Sequence, residues 1–363
     1  MKVLHVEAGR YLYGGAKQVQ YLIEGLKQRG VESVLACPID SDIARACEHS
    51  AQVCEMPMKG DLDAGLYGRL KTLIKETEPD VVHLHSRRGA DIWGALAARK
   101  MCVPCVLSRR VDNPEGRLTV KFKYALYNHI IAISEGIRQV LISEGVSPQK
   151  VTCVRSAVDA KPYLHTVDKN AFAHEFGLPE NALVLGVVAQ LIGRKGHRYL
   201  IEAMPAILER FPNIQVLFFG KGPMQNELSA LIAQKQLQNC IRFAGFRTDL
   251  PRWLGGLDLV VHPAEMEGLG VSLLQAAAAG VPVIASRAGG MPEAVADQKT
   301  GLLIEPGNVS QLEASILKLL EDASLRSEYG KAGRGRILDE FSVEQMVYGN
   351  LSIYRSLTQN IKP

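Results

Sequence analysis

The feature that most constrains the fold is an alternation of short apolar segments with longer segments of helical periodicity. It begins at residues 2–6, which form a buried-strand pattern, and residues 16–29, where Val19, Leu22 and Leu26 recur on one helical face. Further strands are predicted at 33–36, 52–55, 81–84, 103–107, 129–133 and 151–154, with helices at 67–76, 89–99 and 135–144 among the intervening segments. Such alternation is typical of a parallel, doubly wound sheet.

The alternation stops and then starts again. Residues 156–170 have no strong period and include Pro162, which marks a linker. The second series has predicted strands at 183–188, 215–219, 241–243, 257–262, 282–285 and 301–304, and helices at 197–211, 224–235, 272–279, 309–321, 324–340 and 343–358. We therefore predict an α/β chain of two doubly wound, Rossmann-like domains, residues 1–165 and 171–342, facing a central cleft.

Composition fits this architecture. The chain has 363 residues, 47% of them hydrophobic and 22% charged, as in a globular α/β protein. No apolar run reaches the roughly 18 residues of a membrane span, and the apolar N-terminal segment is too short for a signal peptide. The seven cysteines are odd in number and irregularly spaced, which favours reduced thiols. We expect a cytoplasmic location, with peripheral contact to the inner face of the membrane as a further expectation.

Residues 263–295 carry the densest functional signals. An acid, Glu267, is followed by Gly268 and Gly270, a helical run and a short strand, and a second glycine pair precedes Glu293. Helix N-termini at such loops bind anions. An acid among those amides would repel a plain phosphate, so the pattern favours a ligand with hydroxyls beside its phosphates, such as a sugar nucleotide. An ordinary βα crossover with glycine at its turns is the alternative.

The string EGLGVSLLQAAAAGVPVIASRAGGMPE, from Glu267 to Glu293, resembles the donor signature of the retaining glycosyltransferases of family 4, which have the GT-B fold. The chain departs from this pattern at Gln275, where the family has a second Glu. The resemblance implies that Glu267 binds the sugar hydroxyls, that Gln275 binds the ribose, and that the intervening loop contacts the donor. That loop comprises Gly268, Leu269, Gly270 and Val271. It also implies that the second domain holds the donor, the first holds the acceptor, and a C-terminal helix within 343–363 packs back onto the first domain.

A second segment, AQLIGRKG, resembles the family's diphosphate-binding Gly-Arg-Leu-x-x-x-Lys-Gly. Lys195 matches, whereas Gln190 replaces the Arg and Arg194 is the candidate substitute. A fixed cation here would stabilise the charge that builds on the leaving diphosphate. Gly220 and Phe246 lie in segments that in the family contact the donor, although a structural role is equally compatible with them.

The acceptor side is predicted from the first domain. Gly14 and Gly15 precede the first helix and offer free amides, but the segment lacks the Lys and Ser/Thr of a P-loop. The resemblance implies that this loop lies over the donor phosphates and the acceptor, and we assign Gly15 to the donor and Gly14 to the acceptor. Arg110 stands where family members often carry a His; a guanidinium cannot act as a base but can grip an anion.

The remaining acceptor candidates are His85, Arg87 and Arg109. His83 and His85 alternate on one strand face, but no third ligand is evident near them in the sequence, so we expect no metal. Residues 87–123 carry nine basic and three acidic residues, and the mixture of cations with aromatic residues predicts a basic face for an anionic acceptor or a membrane surface. A solvated helix face is the alternative.

These observations predict an enzyme that moves a sugar from a nucleoside-diphosphate sugar, for example a UDP-sugar, to an acceptor hydroxyl with retention. Glu267, Lys195 and Arg110 are the candidate catalytic residues, and no metal or other cofactor is expected. The predicted partners are the donor and a glycan or lipid-linked acceptor in cell-surface glycan synthesis, such as lipopolysaccharide, and not nucleic acid. An epimerase or hydrolase on this fold and a non-catalytic nucleotide-sugar binder are the alternatives.

Overall fold

The computed structural model describes residues 1–86, 89–111, 113 and 115–359, without the side chains of Arg117 and Leu118. Contacts within the chain divide it into two units: one comprises Met1–Ala157 and the chain from Val343 onward, and the other comprises Val158–Ser342. Among the described residues, no helix combines the length and the apolar character needed to cross a bilayer.

The first unit contains one parallel sheet, which among the described residues has seven strands in the order β3-β2-β1-β4-β5-β6-β7. The strands are β1 Lys2–Val6, β2 Glu32–Pro38, β3 Gln52–Met56, β4 Val81–Leu84, β5 Cys105–Arg109, β6 His129–Ala132 and β7 Val151–Cys153. The helices before β7 are α1 Gly14–Lys27, α2 Asp42–Cys47, α3 Gly65–Thr77, α4 Ala90–Lys100, α5 Arg117–Tyr124 and α6 Glu135–Ser143. The predicted doubly wound sheet is confirmed.

The second unit repeats the arrangement with six described parallel strands in the order β10-β9-β8-β11-β12-β13. They are β8 Val184–Val188, β9 Gln215–Phe219, β10 Ile241–Gly245, β11 Leu259–His262, β12 Val283–Ser286 and β13 Gly301–Ile304. The helices are α7 Lys169–Phe176, α8 His197–Arg210, α9 Gln225–Gln234, α10 Leu250–Trp253, α11 Val271–Ala278, α12 Met291–Ala294, α13 Val309–Glu321 and α14 Ala323–Glu340. The second predicted sheet is also confirmed.

The segment predicted as a linker is structured. Asp168 caps α7 by accepting hydrogen bonds from the amides of Asn170 and Ala171, and Gly177 ends that helix in the left-handed conformation. Tyr163 is 6% exposed in the apolar core of the second unit. Residues 158–168 therefore belong with the second unit, because their side chains complete its core.

The last helix, α15 Val343–Gln359, packs on the first unit. Its fully buried Val347 lies against α1, where a Cβ added to Gly25 would approach Val347 Cγ2 to 2.5 Å. Tyr354 is also fully buried, and its hydroxyl contacts Nδ1 of His83 at 2.5 Å. Glycine at position 25 thus permits the close approach of the two helices.

In both sheets the strand order reverses between the first and fourth strands of the unit. In doubly wound sheets, ligands bind beyond the carboxyl ends of the strands at this switch point. The relevant strand ends are Val6 and Leu84 in the first unit, and Val188 and His262 in the second. Most candidate site residues follow these four positions directly.

Candidate functional site

The loops after β8 and β11 meet at the switch point of the second unit. Gly196 ends the first loop with φ +71°, and a Cβ at this position would lie 1.9 Å from the carbonyl oxygen of Pro263. The Glu265 amide also donates to the carbonyl of Arg194 at 2.9 Å. Only glycine allows this approach of the two backbones, which brings Lys195 beside Glu267.

Glu267 is held by three donors. Its Oε2 forms an ion pair with Lys195 Nζ and accepts a hydrogen bond from His262 Nε2 at 3.1 Å, while Oε1 accepts from the Gly268 amide at 3.2 Å. Burial alone would raise the pKa of Glu267, but the His262 bond and the Lys195 charge outweigh it and hold that pKa well below its ordinary value. The carboxylate is therefore ionised at neutral pH, with its side chain 19% exposed.

His262 was not among the predicted site residues. It is the last residue of β11, is 1% exposed, and its burial lowers its pKa, so the ring is neutral at neutral pH. The bond to Glu267 assigns the proton to Nε2, and Nδ1 is among the described buried atoms without a hydrogen-bond partner. The available sequence signal was a polar ring ending an apolar strand five residues before Glu267.

The other donor-side candidates surround this pair. Leu269 is buried, Gly270 caps α11 at φ +90°, Val271 is the first residue of α11, and Gln275 is half-buried further along it. The Gly290 amide donates to the carbonyl of Glu267 at 3.1 Å and so ties the second glycine loop to the first.

The loop after β9 packs on the loop after β8. Gly220 has φ +149°, and a Cβ there would lie 1.9 Å from the carbonyl oxygen of Ala189. Gln190 and Arg194 are exposed on the loop after β8, and Phe246, just beyond β10, is 48% exposed. Apart from Gly15, which lies in the first unit, the predicted donor residues therefore follow the carboxyl ends of β8, β9, β10 and β11.

In the first unit, the pairing of β1 with β4 places His5 opposite His83. His5 supplies the third imidazole that the sequence analysis did not find, and ligand atoms of His5, His83 and His85 lie within 4.8 Å of one another. Burial lowers the pKa of all three rings, so they are neutral at neutral pH.

Ring nitrogens of all three histidines take part in hydrogen bonds. Arg110 approaches Nδ1 of His85 at 3.4 Å, and because arginine only donates, that nitrogen accepts. The proton of His85 is then on Nε2, which donates to Nδ1 of His5 at 2.9 Å. His83 contacts Ser108 Oγ through Nε2 at 2.8 Å. In this protonation pattern Nε2 of His85 is a hydrogen-bond donor, so a metal at this nitrogen would have to displace its proton.

Arg110 lies half-buried over the start of α1. Its Nε donates to the carbonyl of His85 at 3.2 Å, and a Cβ on Gly15 would lie 3.7 Å from its Cδ. Burial lowers the pKa of Arg110 and the Glu7 charge opposes that shift, but a guanidinium stays charged in proteins. Gly14 and Gly15 open α1, and the Tyr13 side chain does not cap it, so the Arg110 cation lies beside the first amides of this helix.

The basic side chains that the structure describes between residues 87 and 123 do not form one face. Arg109 ends β5 with its guanidinium 3.4 Å from Glu115, and Lys123 pairs with Asp91 at 3.3 Å and with Glu115 at 3.0 Å, so these cations hold the unit together internally. Exposed Arg99 and Lys100 end α4 at the amino end of β5, whereas Arg110 follows its carboxyl end. Arg87 and Arg88 lie outside the described residues, as does the Arg117 side chain. Lys121 remains exposed on α5.

Comparison with known proteins agrees with this arrangement. A family model described as Glycosyltransferase Family 4 matches residues 13–161, and one described as Glycosyl transferases group 1 matches residues 168–336. The sulfoquinovosyl transferase SQD2 of Arabidopsis thaliana is 27% identical over 357 residues, covering 89% of this chain and 67% of that protein. An Escherichia coli enzyme, UDP-Gal:alpha-D-GlcNAc-diphosphoundecaprenol alpha-1,3-galactosyltransferase, is 26% identical over 307 residues, covering 80% of this chain and 79% of its own length.

Among solved structures, Anabaena HepE in complex with UDP has a TM-score of 0.86 at 21% identity, covering 98% of this chain and 100% of that one. The two doubly wound sheets and this likeness define a protein of the GT-B fold class, which confirms the predicted fold. With two family models side by side over most of its length, the chain belongs to the family 4 glycosyltransferases, enzymes that use a nucleotide sugar.

Proposed function

We propose that the chain transfers a hexosyl group from a nucleoside-diphosphate sugar, with a UDP-sugar as the first candidate, to an acceptor hydroxyl with retention of anomeric configuration. The observation that carries the proposal is the Lys195–Glu267 pair at the switch point of the second sheet. One cation and one ionised carboxylate lie side by side, which matches a ligand that presents phosphate next to sugar hydroxyls.

In this proposal Lys195 binds the diphosphate and stabilises the charge that it gains as the glycosidic bond breaks. Glu267 accepts hydrogen bonds from sugar hydroxyls and favours the cationic character of the sugar ring. Gln275 binds the ribose hydroxyls, because an amide can both accept and donate. Exposed Arg194 compensates for the absence of an arginine at Gln190. With these groups carrying the phosphate charge, the reaction needs no divalent metal.

The first unit is proposed to hold the acceptor through Gly14, His85 and Arg110. The fixed guanidinium of Arg110 favours an acceptor with an anionic group, and a buried Arg109 supports the position of its neighbour in sequence. The Escherichia coli relative is named for a diphosphoundecaprenol-linked substrate, and a Corynebacterium glutamicum relative is named for a phosphatidylinositol monomannoside. We therefore place this protein in cell-surface glycan or glycolipid synthesis.

Contact with an anionic membrane surface is the further part of the proposal. Phe122 on α5 is 72% exposed and lies next to exposed Lys121. A cation beside an exposed aromatic ring suits the interface of a bilayer. A solvated helix face is the alternative, and vesicle binding distinguishes the two.

The test of function is incubation with a panel of donors, UDP-glucose, UDP-galactose and GDP-mannose, with and without lipid-linked and glycan acceptors. Transfer that requires an acceptor, with the anomeric configuration of the product read from its proton coupling by NMR, supports the proposal. Conversion of donor without an acceptor favours a hydrolase or epimerase, and donor binding without any turnover favours a non-catalytic binder.

A further inference from the structure

His262 contacts the proposed donor-binding carboxylate from the side opposite to solvent. Its ring is 1% exposed, and among the described residues it makes one hydrogen bond, 3.1 Å from Nε2 to Glu267 Oε2. The strand that carries it pairs with β8 and β12 on its two sides. This hydrogen bond to Glu267 therefore comes from a buried ring on an internal strand of the sheet.

The same oxygen of Glu267 also pairs with Lys195, which belongs to a different loop. If Lys195 binds the donor diphosphate, as proposed above, its ammonium group interacts with both Glu267 and a phosphate group. The carboxylate then loses part of the interaction that keeps it ionised and oriented. The hydrogen bonds that His262 and the Gly268 amide donate to Glu267 are unaffected by this exchange, because neither bond involves Lys195.

We propose that His262 is a positioning residue: its Nε2–H holds Glu267 in the orientation that meets the sugar while Lys195 moves its charge to the diphosphate. This inference rests on the proposed function and adds the His262 ring as the group that orients Glu267. The ring itself touches neither donor nor acceptor. Its effect is on the sugar part of the donor and not on the nucleotide.

His197 offers a comparison within the same unit. It is 2% exposed, lies edge-on to Phe218 with ring centroids 5.0 Å apart, and neither ring nitrogen has a hydrogen-bond partner among the described residues. A buried imidazole can therefore serve this unit by packing alone. Loss of the His197 ring removes apolar contacts without removing a bond to Glu267, which makes it the matched control for His262.

The experiment compares His262→Leu, which cannot donate, with His262→Gln, whose amide N–H can, and with His197→Leu. The panel above first identifies the donor, and calorimetry then measures the binding of that donor and of its nucleoside diphosphate alone. For His262→Leu we expect kcat/KM to fall roughly 10- to 100-fold, the range of one hydrogen bond to a charged group. Binding of the nucleoside diphosphate should stay within about twofold of wild type, since that ligand lacks the sugar that Glu267 meets.

His262→Gln should recover most of the lost activity. His197→Leu should lower stability, but it should not lower kcat/KM for the sugar donor while leaving binding of the nucleoside diphosphate unchanged. In His262→Leu, the acid limb of the pH profile of kcat/KM should also move to higher pH, because Glu267 loses a hydrogen bond that favours its ionised form. A loss of affinity for donor and nucleoside diphosphate in equal measure, or a His262→Leu enzyme equal to wild type, overturns the inference.

A measurement on the wild-type protein keeps the inference testable if His262→Leu does not fold. Long-range proton–nitrogen NMR of the ¹⁵N-histidine protein should show His262 protonated at Nε2 and bare at Nδ1, both without and with the donor; the signal is assigned with His262→Gln. The opposite tautomer overturns the inference. Failure of the wild-type protein to bind any donor overturns the proposed function instead, and the inference with it.

Discussion

Separating the Lys195–Glu267 ion pair should destabilise the second unit by an amount that depends on which partner is removed. The two side chains are 10% and 19% exposed. Glu267→Gln leaves a buried cation, and loss of one partner of a buried pair costs about 3–5 kcal/mol. We expect about 3 kcal/mol at neutral pH, because the amide oxygen of Gln still accepts a bond from Lys195.

Lys195→Met should cost less, roughly 1–2 kcal/mol, because the carboxylate keeps hydrogen bonds from His262 and Gly268. In the double variant no buried charge is left unpaired, so its deficit should be smaller than the sum of the single deficits. The coupling energy from the double-mutant cycle should be about 1–3 kcal/mol.

The two tryptophans provide an assay specific to each unit. Trp253 is 5% exposed in the core of the second unit, whereas Trp93 belongs to the first. In a Trp93→Phe background, urea unfolding followed by tryptophan fluorescence reports the free energy of unfolding of the second unit. All four members of the cycle are compared in that background, so the effect of Trp93→Phe itself cancels.

The pH dependence gives a second check. The fold lowers the pKa of Glu267, so its stabilisation is complete above the ordinary glutamate pKa and is lost as the pH falls below that value. The advantage of wild type over Glu267→Gln should therefore shrink by about 1.4 kcal/mol for each pH unit below about 4.3. A coupling energy under about 0.5 kcal/mol, or a deficit that is unchanged on acidification, would refute the reasoning.

Four other outcomes are expected. Gln275→Ala should weaken donor binding by roughly 1–2 kcal/mol for one lost hydrogen bond, whereas Gln275→Glu should be tolerated; calorimetry decides, and abolished binding in the Glu variant would contradict the assignment. Transfer should survive dialysis against a chelator, and a loss reversed by added divalent metal would show that the metal-free mechanism is wrong. Anionic vesicles should sediment the protein at low salt more than at high salt, and less so for Phe122→Ser with Lys121→Glu; equal binding to neutral vesicles would exclude the electrostatic contact. Tyr354→Phe should lower the free energy of unfolding by about 1–3 kcal/mol, since it leaves Nδ1 of buried His83 without a partner, and urea unfolding of the first unit that is unchanged would count against that bond.

The two parallel, doubly wound sheets were predictable because each apolar segment alternates with a helix, and such chains form parallel sheets. The side-chain clusters were not, because they depend on which strands become neighbours. His5 and His83 lie far apart in the sequence and meet only because β1 pairs with β4. His262 was not predicted for a related reason. Its partner Glu267 is near in sequence, but the contact between the two side chains depends on how the loop after β11 folds back.

Arg109 illustrates the effect of a short error in strand bounds. The predicted strand ended at residue 107 and left Arg109 in a loop, available to an acceptor. In the structure the strand begins at Cys105, after Cys102 at φ +56°, and runs through Arg109. The arginine is consequently only 3% exposed and pairs with Glu115. Glu267 was identified first from the glycine loop that follows it, and Lys195 through the family resemblance. The contact between them was not predictable, since loop residues show no periodicity.

The return of the chain to the first unit by α15 also sets an order of assembly during synthesis. The second unit is continuous in sequence, so it can fold once Ser342 has left the ribosome. The first unit cannot, because Tyr354 lies 271 residues after its partner His83. Until α15 arrives, the apolar surface that it covers on α1 and the first sheet stays open to other nascent chains. The first half of the protein to be translated is thus the last to be completed, and its apolar surface stays uncovered for the longest part of synthesis.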